Sequence, residues 1–426
     1  MSERVFITGL GPVTAGGVGC EALWSVLRGG KVSVPTRSLV VDLGRTAELP
    51  LLSMPPADRI AGLDRHLSFL AGQDSPGYRD LAYGLLAIES ALRDAGLDGR
   101  QDGARAGLVQ AFEAPGVERT VATLFEMMGS MPAAMTAGPP PVYEFLAPFF
   151  YNMQPFVYVH LAGKAFELRG FSTSVHNACT SGAFAIEIAA ERIRQGDADL
   201  MLVAGGEAFD TGVRLEWFRR LDLYAKDAKA MRPFDVESGG FYVGEGAGAI
   251  VLESELHARR RDARVYAEYL GGSFAHQAWK QTVPDIRAAR LAGAIESALA
   301  QAEVSPRDID LIVPHGAATP ISDGYESECL SRALISNGRG GSPESVVTAF
   351  KPYVGHMLAA SGLIDTICGI LSMSHGIVPA TLNSDSSRAR LPFPLATTPL
   401  ERPLRTMLKL STGFTGHDAA LLFRRP

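Results

Sequence analysis

Cysteine is scarce in this 426-residue chain: Cys20, Cys179, Cys329 and Cys368 are scattered, with no C-x-x-C pair. That spacing excludes a disulfide framework or a zinc ribbon. It fits a reducing, cytoplasmic compartment, in which a lone thiol is either a small core residue or a reagent. An excess of one charge is lacking too, since 40 Lys and Arg against 46 Asp and Glu leave a net −6. The densest basic run, Arg259-Arg260-Arg261 with Arg264, is too short for a nucleic-acid surface and is expected to close a short helix. No apolar run approaches the roughly 18 residues of a membrane helix, so no membrane partner is expected. A strand pattern begins at Val5, which leaves no room for a signal peptide.

What the chain does have is 46% hydrophobic residues and 45 glycines, enough for a large core without disulfides. Apolar runs predict strands at Val5–Thr8, Ala106–Gln110, Leu200–Ala204, Ala249–Leu252, Val265–Leu270, Ile309–Val313 and Ala419–Phe423. Between them, three- and four-residue spacing predicts helices at Arg79–Ala95, Gly182–Gln195, Ile286–Ala302 and Asp323–Ser336. Such alternation implies an α/β fold with a largely parallel, buried sheet.

The sequence also echoes itself. Ala-Ile-Glu-Ser-Ala-Leu occurs at Ala87 and again at Ala294, each time in a helix leading to a strand. Ser181-Gly182 followed by Gly196 is matched by Ser361-Gly362 followed by Gly376, with an apolar helix ending at a glycine cap in both copies. Two echoes in the same order point to a duplicated α/β half. The expected division is an N-terminal half, 1–254, and a C-terminal half, 255–426, meeting in a charged stretch. Residues 112–156 fit neither pattern. This segment, rich in Met, Phe and Pro, reads as a packed insertion or subunit interface whose side chains line an adaptable apolar tunnel.

Three segments carry chemistry. Cys179 follows a strand-like run and precedes small residues that open a helix, a setting whose free N–H groups and dipole favour thiolate. His315 ends a strand and is followed by Gly316, at the kind of position where ligands collect in open α/β sheets. His356 lies in the turn that the duplication relates to the region of Cys179. Each alone is open to a structural reading as a core thiol or a hydrogen-bonded histidine. One cysteine and two histidines at strand–helix turns of a duplicated fold are hard to explain as packing.

These segments resemble the β-ketoacyl-(acyl-carrier-protein) synthases, decarboxylating condensing enzymes of the thiolase superfamily, over nearly the whole chain. Asn177-Ala-Cys-Thr-Ser-Gly182 resembles the nucleophile motif, and the stretch from Arg232 to Gly248 the Gly-rich central signature. His315–Asp323 and Lys351-Pro-Tyr-Val-Gly-His356 match the two histidine motifs, and Gly413-Phe-Thr-Gly416 resembles the C-terminal Gly-Phe-Gly-Gly loop. The resemblance implies a thiolase-like fold of duplicated βα halves in an α-β-α-β-α sandwich. It implies that Cys179 accepts an acyl group, that the N–H groups of Cys179 and Phe414 form an oxyanion hole, and that Phe414 gates the pocket. His315 and His356, as neutral imidazoles, would donate to the extender's thioester oxygen while a malonyl unit loses CO₂. Lys351, paired with Glu326, and Asp323 would support the site, with Thr319 and Thr415 in contact with substrate.

Substrates would arrive on the phosphopantetheine of an acyl carrier protein, with no metal or other cofactor. The partner would be a second copy or a chain-length-factor-like homologue. Two departures, Ala317-Ala318 in place of a usual Thr-Ser and Thr415-Gly416-His417-Asp418 in place of Gly-Gly-Thr-Asn, point from housekeeping fatty-acid elongation towards polyketide or polyene synthesis. A thiolase is disfavoured because Gly413–Leu422 holds no second cysteine. The Cys-His-Asn synthases are disfavoured because the third position is His356. Acyl transfer without decarboxylation and a non-catalytic partner subunit remain as alternatives, the latter opposed by the intact trio.

Overall fold

The computed structural model describes residues 3–73, 78–97, 105–130, 150–151, 153–335 and 344–426. Ten strands form one continuous path: β1 (Val5–Thr14), β2 (Ala106–Ala111), β3 (Ser172–Val175), β4 (Leu200–Glu207), β5 (Gly246–Ser254), β6 (Ala267–His276), β7 (Leu311–Val313), β8 (Val346–Val347), β9 (Thr406–Thr412) and β10 (His417–Arg424). Their order is β8-β7-β9-β10-β6-β1-β5-β4-β2-β3. From the central β1–β6 pair outward, each arm repeats the other in order and in pairing sense. β5 and β4, like β10 and β9, pair antiparallel; β2 and β3, like β7 and β8, join in parallel.

The sheet is therefore mixed, and the expectation of a largely parallel one is corrected. A strand buried on both faces reads as a continuous apolar run whatever its neighbours' direction. Only the connections reveal that β9 and β10, joined by the short Gly413–Gly416 turn, form an antiparallel pair.

Alternate residues along each strand enter different cores, as the two-residue period of a strand requires. Met201, Val203, Ile250 and Leu252 in one arm, and Met407, Ala419, Leu421 and Phe423 in the other, face a shared central core. That core also takes residues of the helices Ser181–Arg194 and Ser361–His375. Leu200, Leu202 and Val251 face outward onto the helix Arg79–Asp94. Leu408, Leu410 and Leu422 face the helices Arg290–Gln301 and Pro320–Leu334. The result is the five-layer α-β-α-β-α arrangement.

The two central helices touch at their N-termini. A Cβ on Gly182 would come 2.9 Å from Leu363 N, and one on Gly362 would come 3.0 Å from Ala183 N. Both helices are followed by a left-handed glycine, Gly196 at φ 76 and Gly376 at φ 64. The stretch Leu358–His375 does reach 18 residues with a mean hydropathy of 1.2, contrary to the reading of the sequence, but 89% of it is buried inside the fold. It is a core helix.

Boundaries moved where local chemistry intervened. The helix expected from Ile286 starts at Arg290, because Asp285 caps the N–H groups of Arg287 and Ala288 and Ala289 turns left-handed at φ 45. The helix expected from Asp323 starts at Pro320, whose ring suits a first turn. Arg259 and Arg260 do end a short helix, Glu255–Arg260. Of the Met- and Phe-rich segment, residues 131–149 and 152 lie outside the described residues, among them Met131, Met135, Tyr143, Phe145 and Phe149.

Candidate active site

Cys179 sits in a single 3-10 turn, Ala178–Thr180, between β3 and the helix Ser181–Arg194. Ser181 holds the turn: its Oγ accepts from Asn177 N at 2.9 Å and donates to Ala178 O at 2.7 Å. The thiol is buried, and burial pushes it well above its usual range. The carboxylate of Glu113 pushes the same way, while Lys351 opposes it. The thiolate favoured by the helix end is thus set against desolvation, a cost that sequence spacing does not reveal.

His315 follows β7, and Glu326 fixes its backbone. One Glu326 oxygen accepts from His315 N at 2.6 Å, the other from Gly316 N at 2.7 Å. Lys351 donates to His315 O and forms its ion pair with Asp365, at 2.7 Å. The expected Lys351–Glu326 pair is therefore corrected: the backbone of the histidine loop takes both Glu326 oxygens, and Asp365 on the central helix meets the ammonium instead. Asp323 ties the same loop to the Gly-rich segment, accepting from Ala318 N at 3.1 Å and Phe234 N at 2.6 Å.

His356 is held by the Gly-rich segment, donating its backbone N–H to Tyr242 O at 2.9 Å. Gly244 has to be glycine here, since a Cβ would come 1.9 Å from Val354 O. Close packing explains why that segment is rich in glycine. On the ring, Nδ1 accepts from Leu358 N at 3.1 Å and lies 2.8 Å from Ser361 Oγ. A backbone N–H can only donate, so the neutral ring carries its proton on Nε2. Burial, then Lys351, pushes both imidazoles well below their usual range.

The fold brings these three together. Cys179 Sγ and one ring nitrogen from each histidine lie within 4.8 Å of one another, and the rings are 5.3 Å apart between centroids. They open into a pocket of about 150 Å³ that Thr319 and Phe414 also line. Phe414 packs edge-on against Trp217, and a Cβ on the preceding Gly413 would come 3.4 Å from Cys179 N. Thr415 is exposed and left-handed at φ 64, a strained state for a β-branched residue.

Two family descriptions match the chain: the N-terminal domain of β-ketoacyl synthases over residues 78–258, and the C-terminal domain over 266–385. The mitochondrial 3-oxoacyl-(acyl-carrier-protein) synthase of Arabidopsis thaliana is 30% identical, over 99% of this chain and 93% of its own. The chain belongs to the β-ketoacyl synthase family. A putative polyketide β-ketoacyl synthase 1 of Streptomyces halstedii is 28% identical over 100% of this chain and 99% of its own. The solved ishigamide ketosynthase/chain length factor superposes with a TM-score of 0.83 at 25% identity, covering 100% of both chains.

Several residues of this β-ketoacyl synthase family member escaped the sequence reading. Lys409 is buried in β9, 3.5 Å from Asp365, and burial lowers its pKa to about 8. Asp418 is buried and accepts from Tyr325 Oη at 2.6 Å and from Gln277 Nε2 at 3.0 Å; burial raises its pKa to about 7. It is a structural acceptor, which gives a packing role to the Asp418 that stands where the resemblance leads one to expect Asn. The available signal was a lone charge inside an apolar strand: Met-Leu-Lys409-Leu, and Asp418 before Ala-Ala-Leu-Leu-Phe.

Among the described residues, Cys179, His315 and His356 are also the one group with metal-compatible spacing. A metal on His356 Nε2 would require Nδ1 to carry the proton, facing Leu358 N–H, so the ring is set up to donate rather than to ligate.

Proposed function

We propose that this chain is a β-ketoacyl synthase that condenses a Cys179-bound acyl group with a malonyl unit carried by an acyl carrier protein. The observation that carries the reading is the buried trio itself, with His356 Nδ1 occupied by a backbone N–H so that Nε2 presents a donor. Cys179 attacks the primer thioester and takes the acyl group, releasing the carrier thiol. The N–H groups of Cys179 and Phe414 stabilise the oxyanion, and the Phe414 turn, set by Thr415, gates the pocket. The malonyl thioester then loses CO₂, and its oxygen gathers enolate charge between His315 and His356. Low imidazole basicity keeps both rings neutral, so they donate hydrogen bonds without losing protons. The enolate carbon attacks the acyl thioester, and Cys179 leaves.

Lys351 with Asp365, Glu326 and Asp323 are positioning residues, and Thr319 contacts the pantetheine arm. The reading needs no cofactor beyond that carrier-borne phosphopantetheine, and four free thiols suit a cytoplasmic setting. It assigns the nucleophile to a half spanning 1–254 and the histidines to a half spanning 255–426, in keeping with the repeated strand order. The partner is a second copy or a chain-length-factor-like homologue. The departures at Ala317-Ala318 and Thr415 favour polyketide or polyene synthesis over housekeeping elongation.

The test is incubation with an acyl primer and malonyl-carrier protein, followed by intact mass spectrometry. A β-ketoacyl carrier with release of CO₂ is expected. Transfer of the primer to another acceptor with the malonyl group intact would instead identify a non-decarboxylating acyltransferase.

A further inference from the structure

The wall of the same pocket holds a carboxyl group to which the reaction assigns no part. Glu113, in the loop after β2, lines the pocket with Cys179. Its Oε2 is enclosed and has no hydrogen-bond partner among the described residues. Buried polar atoms are almost always paired, and leaving one unpaired costs on the order of 1–3 kcal/mol. The nearby guanidinium is directed elsewhere: Arg214 Nε meets Glu118 at 2.7 Å and Nη2 meets Glu207 at 3.0 Å, while its enclosed Nη1 makes no hydrogen bond to Glu113 or to any other described residue. Burial pushes the Glu113 carboxyl up against the pull of Arg214. Glu113 thus has a countercharge shared with two other carboxylates and a free acceptor beside the nucleophile.

Phe218, Phe241 and Leu358, which line the same pocket, are apolar. Apolar lining alone would serve a plain alkyl chain, which gives Glu113 Oε2 nothing in return for excluding water. A hydroxyl or amine on the acyl group would donate to that oxygen and remove the deficit. The cavity, about 150 Å³, suits a short group with its polar substituent close to the thioester.

We propose that Glu113 determines which acyl group Cys179 accepts, favouring a short chain with a hydrogen-bond donor near the thioester over an alkyl chain of equal length. This rests on the ketosynthase reading above. The test compares Cys179 acylation rates for the 3-hydroxybutyryl, 3-aminobutyryl and butyryl thioesters of coenzyme A, followed by intact mass. The wild-type protein should load at least one donor-bearing primer ~10-fold or more faster than butyryl, because a site built to bind a donor rejects the analogue lacking it. Glu113→Leu should erase or invert that ratio, and Glu113→Gln, which keeps an acceptor oxygen and the same shape, should retain part of it. The ratio reads out even if Glu113→Leu fails to fold, because the Gln variant and the wild-type preference remain. Equal or faster loading of butyryl by the wild-type protein, or an unchanged ratio in a folded Leu variant, overturns the proposal. No Cys179 adduct with any of the three primers overturns the ketosynthase reading along with it.

Discussion

In the turn that leads into the helix Ser181–Arg194, Ser181 Oγ accepts from the N–H four residues back, Asn177, at 2.9 Å; in the turn before Ser361–His375, Ser361 Oγ accepts from Met357 N at the same distance. Each turn is a 3-10 segment, Ala178–Thr180 or Leu358–Ala360, whose first residue is left-handed, at φ 48 and φ 40. Superposed in this register, Cys179 corresponds to Ala359 and His356 to His176. His176 is exposed, whereas His356 is buried under the Gly-rich segment. The frame is symmetric and the chemistry is not. The N-terminal copy holds Cys179, the proposed nucleophile, and the C-terminal copy has turned its serine towards an imidazole.

The largest break in the comparison is Cys179→Ala, which gives the first turn the side chain of the second. Acyl-enzyme formation should fall by at least ~10³-fold, read by intact mass, with the turn still folded. An undiminished adduct would move the nucleophile elsewhere. Next, His315→Ala and His356→Ala should each still acylate while CO₂ release from malonyl-carrier protein drops ~10²-fold or more. Normal decarboxylation in both would remove the histidines from the reaction.

The two serines sharpen the asymmetry further. Ser361→Ala leaves His356 Nδ1 with Leu358 N–H alone and should slow decarboxylation by about 10-fold with little effect on acylation, on the scale of one lost hydrogen bond. Ser181→Ala should lower the melting temperature and acylation but leave decarboxylation of the extender nearly untouched. The smallest effect concerns pH. Both imidazoles lie well below their usual range, so decarboxylation should stay level on lowering the pH through 6.5. Removing a cation raises their basicity. Lys409→Met should therefore move the acid limb to higher pH, visible in rate profiles between about pH 5 and 8.

The legible part of this site was carried by residues whose types are unusual where they stand. A cysteine and two histidines beside glycines in short strand–helix turns stand out in any apolar sequence, and so did the paired Ser-Gly echoes. Glu113, Asp365 and Lys409 were not legible, for three different reasons. Asp365 is an ordinary helix residue until Lys351 and Lys409 arrive from other elements. Lys409 looks like one charge in a half-exposed strand until both faces prove buried. Glu113 reads as a loop carboxylate, and only the closing of the pocket wall makes its lack of a donor visible.

The alternation of apolar runs and helical patterns in the sequence determined that this is an α/β chain, because burial of one face per element imposes those periods, and two echoes in the same order marked it as duplicated. Its motifs named the three residues that meet. The sense of strand pairing, the choice of Asp365 over Glu326 as the partner of Lys351, the tautomer of His356 and the isolation of Glu113 were decided by the tertiary structure alone. Each depends on which groups from distant segments lie within hydrogen-bonding distance once water is excluded, and linear spacing carries no record of that.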